Sequence, residues 1–356
     1  MSSRFAGIGR VKAQLVFVAL LIFIALNIAM PRLATVPFLI KPAVQATTPA
    51  AEPTEDGKDV LLYRAINERV ANGENYYAVA ASEHRDRNYP LKPFVTVRPP
   101  TLAALTGLIG PTGLNVALWL LMAATVYVWW QRLSAEFLTE RHRPLAVFLI
   151  GLTVAAHPKM AVMHESWAGV FILLSIGLHD RRRWWPSVLT GFLAVAFREI
   201  ALPYLLLMAA LAVLQRRWSE GAGWLAAIGA EAAYLVWHAS EVAKVVLPND
   251  VASQGWLRAG GWPYAFTFLK KSTVLNLLPA FVSQMLIALT LFGWLAWKQM
   301  TGLISLLLIC GYTIVFMIVG RPENFYWGML VGPLLFGGLV FVPRALRDLW
   351  AESRLR

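Results

Sequence analysis

Trp184 to Leu214 reads WWPSVLTGFLAVAFREIALPYLLLMAALAVL, an apolar stretch interrupted only by Arg198-Glu199 near its middle. One continuous helix here would bury both charges at mid-membrane, at a cost of several kcal/mol. Two shorter helices, about 185–197 and 200–214, avoid that cost. They place Arg198-Glu199 at a turn and return the chain to Arg216-Arg217. This stretch therefore predicts an all-α polytopic membrane protein whose charged residues gather at helix ends.

Composition agrees. The chain has 356 residues, is 58% hydrophobic and 15% charged, and has a mean hydropathy of +0.57. A soluble domain would carry about 25% charge. Apolar runs recur at about 17–25 residues, the length that crosses a bilayer core. The net charge of +12 is read as topology rather than nucleic-acid affinity, because excess Lys and Arg in a membrane protein mark its cytoplasmic connectors. Cys310 is the single cysteine, so neither an intrachain disulfide nor a Cys-based metal site is expected.

About ten transmembrane helices follow from the apolar runs. The expected spans are about 13–30, 113–130, 144–156, 160–178, 185–197, 200–214, 223–238, one ending before Lys298, 303–319 and 325–342. The first is read as an uncleaved anchor, since its apolar run exceeds the 7–15 residues of a signal peptide. The short Arg-dense connectors, with Arg132, Arg141, Arg143, Arg181-Arg182-Arg183 and Arg216-Arg217, are placed inside. Both termini then lie in the cytoplasm of a bacterial plasma membrane. Residues 31–112 form a large first extracytoplasmic loop and 239–272 a second. Within the first, Leu62, Ile66 and Val70 recur at helical spacing, Asn72-Gly73 breaks that helix, and a second short helix carries Glu74 to about Arg85. Pro90, Pro93, Pro99 and Pro100 exclude regular helix beyond it.

This topology gathers polar residues on one side: Glu74, Arg98, His157, Lys159, His164, Glu165, Arg198, Glu199, Arg321, Glu323 and Asn324. Acids and bases at one depth suit an anionic substrate beside a general base. Each has a structural alternative. Glu74 could be a solvated loop acid, Arg98 a side chain reaching for headgroups, His164-Glu165 a pair joining two helices. Arg198-Glu199 and Arg321 with Glu323 could be ion pairs closing turns. Spacing supports no metal motif and only weakly a divalent cation. No phosphate-cradling Gly-rich loop is present.

Glu74-Asn75-Tyr76-Tyr77-Ala78-Val79-Ala80-Ala81, then Tyr89-Pro90, then Arg98-Pro99-Pro100, resembles the first outer loop of the GT-C glycosyltransferases, in their aminoarabinose and protein mannosyl branches. There an Asp-Glu pair precedes a Tyr by three residues, and a basic-Pro-Pro turn enters the second span. Glu74, Tyr77 and Arg98-Pro99-Pro100 match; Gly73 stands where the family has its first acid. The resemblance covers about 30 residues. It implies an integral membrane glycosyltransferase that moves a sugar from a polyprenyl-phosphate or diphosphate donor to a glycan, lipid or protein acceptor, with no cofactor. Glu74 is expected as the catalytic base, with Asp59 and Glu68 as substitutes. Tyr77, Arg98, Lys159, His164, Glu165, Arg198, Glu199, Arg321, Glu323 and Asn324 are expected to bind substrate, Arg198 and Arg321 at the departing phosphate. A lipid-linked saccharide transporter, a late-loop polymerase or ligase, and a non-catalytic GT-C-like scaffold are the alternatives. The expectation that decides among the residues is a single pocket holding Glu74, Arg198 and Arg321.

Overall fold

The computed structural model describes residues 3–33, 58–137 and 142–354. The described residues are helical, with no strand and two isolated β-bridges. Along the chain run α1 (Arg10–Leu33), α2 (Lys58–Ala71), α3 (Tyr76–Asp86), α4 (Thr101–Glu136), α5 (His142–Ile150), α6 (His164–Leu178) and α7 (Trp185–Phe197). They are followed by α8 (Leu202–Leu214), α9 (Trp218–Val245), α10 (Gly261–Lys271), α11 (Ala280–Ala296), α12 (Met300–Ile318), α13 (Gly332–Gly337) and α14 (Val342–Arg354).

Three segments are long and apolar enough to cross a membrane: Arg10–Met30, Phe94–Glu136 and Met300–Ile318. A fourth is the bent pair Pro322–Leu330 and Gly332–Arg354, if its halves count together across their 60° bend. The apolar helices α6, α7, α8 and α11 have 13 to 17 residues. At 1.5 Å per residue they reach about 20–25 Å, short of a hydrocarbon core of about 30 Å. Their polar ends therefore lie recessed within the bundle.

The break at Arg198-Glu199 falls where charge burial dictates: α7 ends at Phe197, and a 3-10 turn over Glu199–Ala201 leads into α8. Elsewhere the boundaries differ from those read in the sequence. The second span was expected from about Gly113. Instead α4 starts at Thr101 and bends at Gly110-Pro111, where Gly110 takes a φ of 74° and Pro111 offers no N–H. The expected third span, about 144–156, stops being α-helical at Ile150 and continues as turns. The expected outer loop 239–272 is shorter, because α9 extends to Val245 and α10 fills its second half. The last span is interrupted, with 3-10 turns on either side of α13.

α6 is the axle of the bundle: His164 through Gly177 are all buried. The chain around Met329 comes so close that a Cβ on Gly169 would sit 2.1 Å from the Met329 carbonyl oxygen. α2 lies across the end of the bundle, burying Leu62, Tyr63, Ile66 and Asn67 on one face, the i, i+1, i+4, i+5 pattern of an amphipathic helix. α3 begins at Asn75, whose Oδ1 accepts from Tyr77 N and Ala78 N at 3.1 Å each, a cap that stabilises by about 1 kcal/mol. A separate apolar cluster joins Phe5, Ala13, Leu20, Phe292, Ala296, Val342, Ala345 and Leu349 of α1, α11 and α14 with the segment preceding α1. The remaining face of α1 leaves Leu15, Val18, Leu21, Ile22 and Leu26 exposed, as lipid contact requires.

Candidate functional site

The polar ends of α6 and α7 meet under α2. Glu165, in the first turn of α6, is fully buried; Arg198, the residue that stops α7, is 1% exposed. Arg198 Nε donates to Glu165 Oε1 at 2.5 Å, and Arg198 Nη1 donates to Glu199 Oε1. Its guanidinium lies 6.0 Å from the centre of the Trp327 ring. Neither acid is saturated: Glu165 Oε2 and Glu199 Oε2 are buried without a partner, as is His164 Nδ1.

A second cation enters from the loop before α4. Arg98 is buried, and its Nε donates to Tyr63 Oη at 2.9 Å, with the Tyr63 ring 5.8 Å from the guanidinium. Its two terminal nitrogens make only long contacts, 3.4 Å to Val95 O and 3.5 Å to Tyr326 Oη. Tyr76 Oη donates to the Arg98 carbonyl at 2.5 Å. Tyr77 Oη is 3.1 Å from His238 Nδ1, while His238 Nε2 reaches Val97 O at 3.0 Å, so α9 props the same loop. Thr101, at the start of α4, bonds to the Ala196 carbonyl and lies 2.8 Å from Tyr234 Oη.

Tyr63 reports what surrounds the site. Burial pushes its phenol well above the usual tyrosine range, and the charges of Arg98, Asp59, Glu165 and Arg198 all act on it. Asp59 sits half-buried in the first turn of α2, accepting from Tyr89 Oη at 2.6 Å. Asp59 and Tyr63 lie one turn apart on α2, and the charges of Asp59 and Arg98 both act on the Tyr63 phenol.

Of the residues read from the sequence, Arg98, His164, Glu165, Arg198, Glu199 and Asn324 come together. The Tyr63 and His164 rings meet edge-on at 5.0 Å, and Asn324 Nδ2 points to Tyr326 Oη at 3.5 Å. Tyr77 is a supporting wall. Arg321 and Glu323 pair with each other at 2.9 Å, without hydrogen-bond alignment, in a partly exposed position. Lys159, His157 and Glu68 are exposed and apart.

Glu74 is a correction. Its side chain is 45% exposed and is gripped by Arg69, with Nε at 3.0 and 3.1 Å from the two carboxylate oxygens. The Arg69 hydrogen bond holds its carboxyl below the usual range. The cause is local. Gly73 turns with φ 91°, and Asn75 caps α3, which leaves Glu74 outside the helix and folded back on α2. The single pocket of Glu74, Arg198 and Arg321 does not form. Glu83, on α3, shares Arg69 at 3.0 Å, so both acids serve to join α2 and α3.

Sequence reading missed Tyr63, Tyr326, Trp327 and Glu231. Tyr63 was visible four residues after Asp59, on the face of Leu62 and Ile66. Tyr326-Trp327 follows directly on Arg321–Asn324. Glu231 had no signal beyond being an acid inside an apolar helix. It is 1% exposed, and neither of its oxygens has a partner.

Among the described residues, no three of His, Cys, Asp and Glu are grouped to hold a metal ion. The chain matches no family model, no curated protein and no solved structure.

Proposed function

We propose that this chain is an integral membrane glycosyltransferase of GT-C type, using a polyprenyl-phosphate or diphosphate sugar and working at the extracytoplasmic face. In this reading α5, α6, α7, α8, α9 and α11 are further crossings that bring the total to about ten, with both termini in the cytoplasm. The carrying observation is Arg98, a buried guanidinium whose terminal nitrogens have only long contacts, beside Arg198 and with a carboxylate, Asp59, on the helix above. Buried cations are costly unless paired. Arg198 is paired twice; Arg98 is held by tyrosines and feels the charges of Glu165 and Glu199 only through space, which leaves its terminal nitrogens open to an anion.

The chemistry follows from placement. The donor phosphate lies against Arg98 and Arg198, held by charge-assisted hydrogen bonds. Asp59 takes the proton of the acceptor hydroxyl, and that oxygen forms a bond to the anomeric carbon. The bond from that carbon to the phosphate oxygen breaks, and the electron pair stays on the phosphate, where the guanidiniums stabilise the growing charge. Glu165 and Glu199 fix Arg198; Tyr63 and Tyr326 fix Arg98. Asp59 replaces Glu74 as the base because its charge acts on Tyr63, the partner of Arg98, whereas Glu74 is held by Arg69.

Purified protein given a panel of polyprenyl-phosphate sugars should release free carrier lipid. Asp59→Asn should lower that release by about 10²–10⁴-fold, the range of a general base, with an unchanged melting temperature. Full activity in that variant would remove Asp59 from the mechanism. Lipid movement across a vesicle membrane without release of free carrier would favour a transporter.

A further inference from the structure

α14 carries Arg344, Arg347, Asp348, Glu352 and Arg354 within 13 residues, a charge density that keeps a helix out of hydrocarbon. It starts where α4 and α11 end. Phe341 stacks on Trp297 at 4.5 Å, just past α11, and Arg344 lies 5.0 Å from the ring centre of Phe137, just past α4. From there α14 buries Val342, Ala345 and Leu349 in the cluster it shares with α1 and α11.

The charges of α14 are sorted around its axis. Its two acids meet the segment before α1: Ser3 N donates to Asp348 Oδ2 at 2.7 Å, and Gly7 N and Gly9 N donate to the two oxygens of Glu352 at 2.7 and 3.2 Å. Both carboxylates are thus occupied by peptide N–H groups. Pro343, Arg347, Trp350 and Arg354 recur at helical spacing and are all exposed. Trp350 is 50% exposed, and the Arg354 guanidinium lies 4.0 Å from its ring centre. The stripe therefore shows one indole and two cations and no acid.

This stripe continues the lipid face of α1. The Trp350 ring lies 6.4 Å from that of Phe17, and Gln14 Nε2 reaches Ser353 O at 3.5 Å. Val18 and Leu21, on the exposed side of α1, follow directly, while Arg10 and Lys12 stand exposed at its start. Trp350 is thus held between the basic start of α1 and its apolar face, the level at which indole rings and arginines favour a membrane interface.

We propose that the α14 stripe binds the headgroup layer of a membrane rich in anionic phospholipid, with the Trp350 ring at the top of the acyl chains and Arg347 and Arg354 on lipid phosphates. The anchor is independent of the glycosyltransferase reading.

Cys310 is the single cysteine, so the full chain with Cys310→Ser and Ala351→Cys takes one fluorophore, at an exposed position beside Trp350. In vesicles, phosphatidylglycerol brominated on its acyl chains should quench that fluorophore at about tenfold lower mole fraction than brominated phosphatidylcholine, the scale of two arginines near an anionic surface. Adding Arg347→Gln and Arg354→Gln should bring the two lipids to equal quenching, with an unchanged melting temperature. Adding Arg181→Gln and Arg182→Gln instead, on the connector after α6, should leave the preference in place. Equal quenching by the two lipids, or none, in the parent would overturn the proposal, as would a preference kept by the folded Arg347→Gln, Arg354→Gln protein. So would quenching that falls as the protein-to-lipid ratio rises, since a second copy would then cover the stripe.

Discussion

Two buried charge networks sit at the two ends of the bundle, built from the same residue types and finished differently. At one end, Glu220 Oε1 takes His179 Nε2 at 2.9 Å and the Trp224 indole at 3.3 Å, while Oε2 takes Arg217. Arg132 adds hydrogen bonds to the carbonyls of Gly177 and His179 and to Thr301. Both oxygens of the acid are used, and the group acts as a joint between α6, α9, α4 and α12. At the other end, Glu165, Glu199 and His164 each keep a buried atom without a partner, and the terminal nitrogens of the buried Arg98 make only long contacts. Composition does not separate the two. The acids do: the first end is closed at its acid, both carboxylate oxygens being taken, and the unpartnered atom is Arg217 Nε, whereas the other end is open, two carboxylates each keeping a free oxygen, an arrangement with more room for a ligand.

Breaking the closed network should give the largest change in stability. Glu220→Ala removes the buried acid shared by His179, Trp224 and the half-buried Arg217 and should cost about 3–5 kcal/mol, read as a lower melting temperature. Turnover per folded molecule should stay at the wild-type level. A loss of turnover at full folding would mean that this end is not purely structural.

Arg98→Gln tests the open network. Turnover should fall by about 10²–10³-fold, or 2.7–4 kcal/mol of transition-state stabilisation, with a melting temperature within a few degrees of wild type. An equal loss in both readouts would make Arg98 another structural cation.

Glu231 sharpens the distinction. Its two oxygens are buried and unpartnered, so Glu231→Leu should raise stability by about 1–2 kcal/mol in the absence of substrate. A loss of turnover together with that gain would add Glu231 to the open site.

A pH effect belongs to the outer surface, where Arg85 clamps Asp250 at 2.7 and 2.8 Å and ties α3 to the turn after α9. The Arg85 hydrogen bonds hold Asp250 down at about 2, from an ordinary 3.8. A depressed acid stabilises fully above its unfolded value and loses that contribution as pH falls through its folded one. The melting-temperature gap between wild type and Asp250→Asn should therefore be constant above about pH 5 and close between about pH 4 and 2. A gap that widens on acidification would contradict the clamp.

The smallest effect is expected at Glu74. As an exposed partner of Arg69, Glu74→Gln should change stability by less than about 1 kcal/mol and leave turnover at the wild-type level. Abolished turnover would return the base to Glu74.

Much of this was legible in the residues because it follows from short-range physics. A charged pair inside an apolar stretch forces a turn, so Arg198-Glu199 marked the join between α7 and α8. The spacing of Leu62, Ile66 and Val70 indicated α2, and Asn72-Gly73 its end. Helix length across α4, α5 and α9 was less legible. Apolar residues serve both lipid contact and protein packing, and composition alone does not say where one gives way to the other.

The sequence by itself determined that the chain is helical, that helices long and apolar enough for a membrane are among its elements, and that its charges would be confined to their ends. Period, hydropathy and the cost of burying charge are properties of neighbouring residues, and they need no fold to act. Only the tertiary structure decided which charges meet. Asp59 lies one turn from Tyr63, the partner of Arg98, while Glu74, fifteen positions on, turns away to Arg69. That choice depends on how α2 lies across the bundle and how Gly73 directs the chain after it. Contacts between residues hundreds of positions apart, such as Arg98 with Tyr326, carry no local pattern in the sequence to announce them.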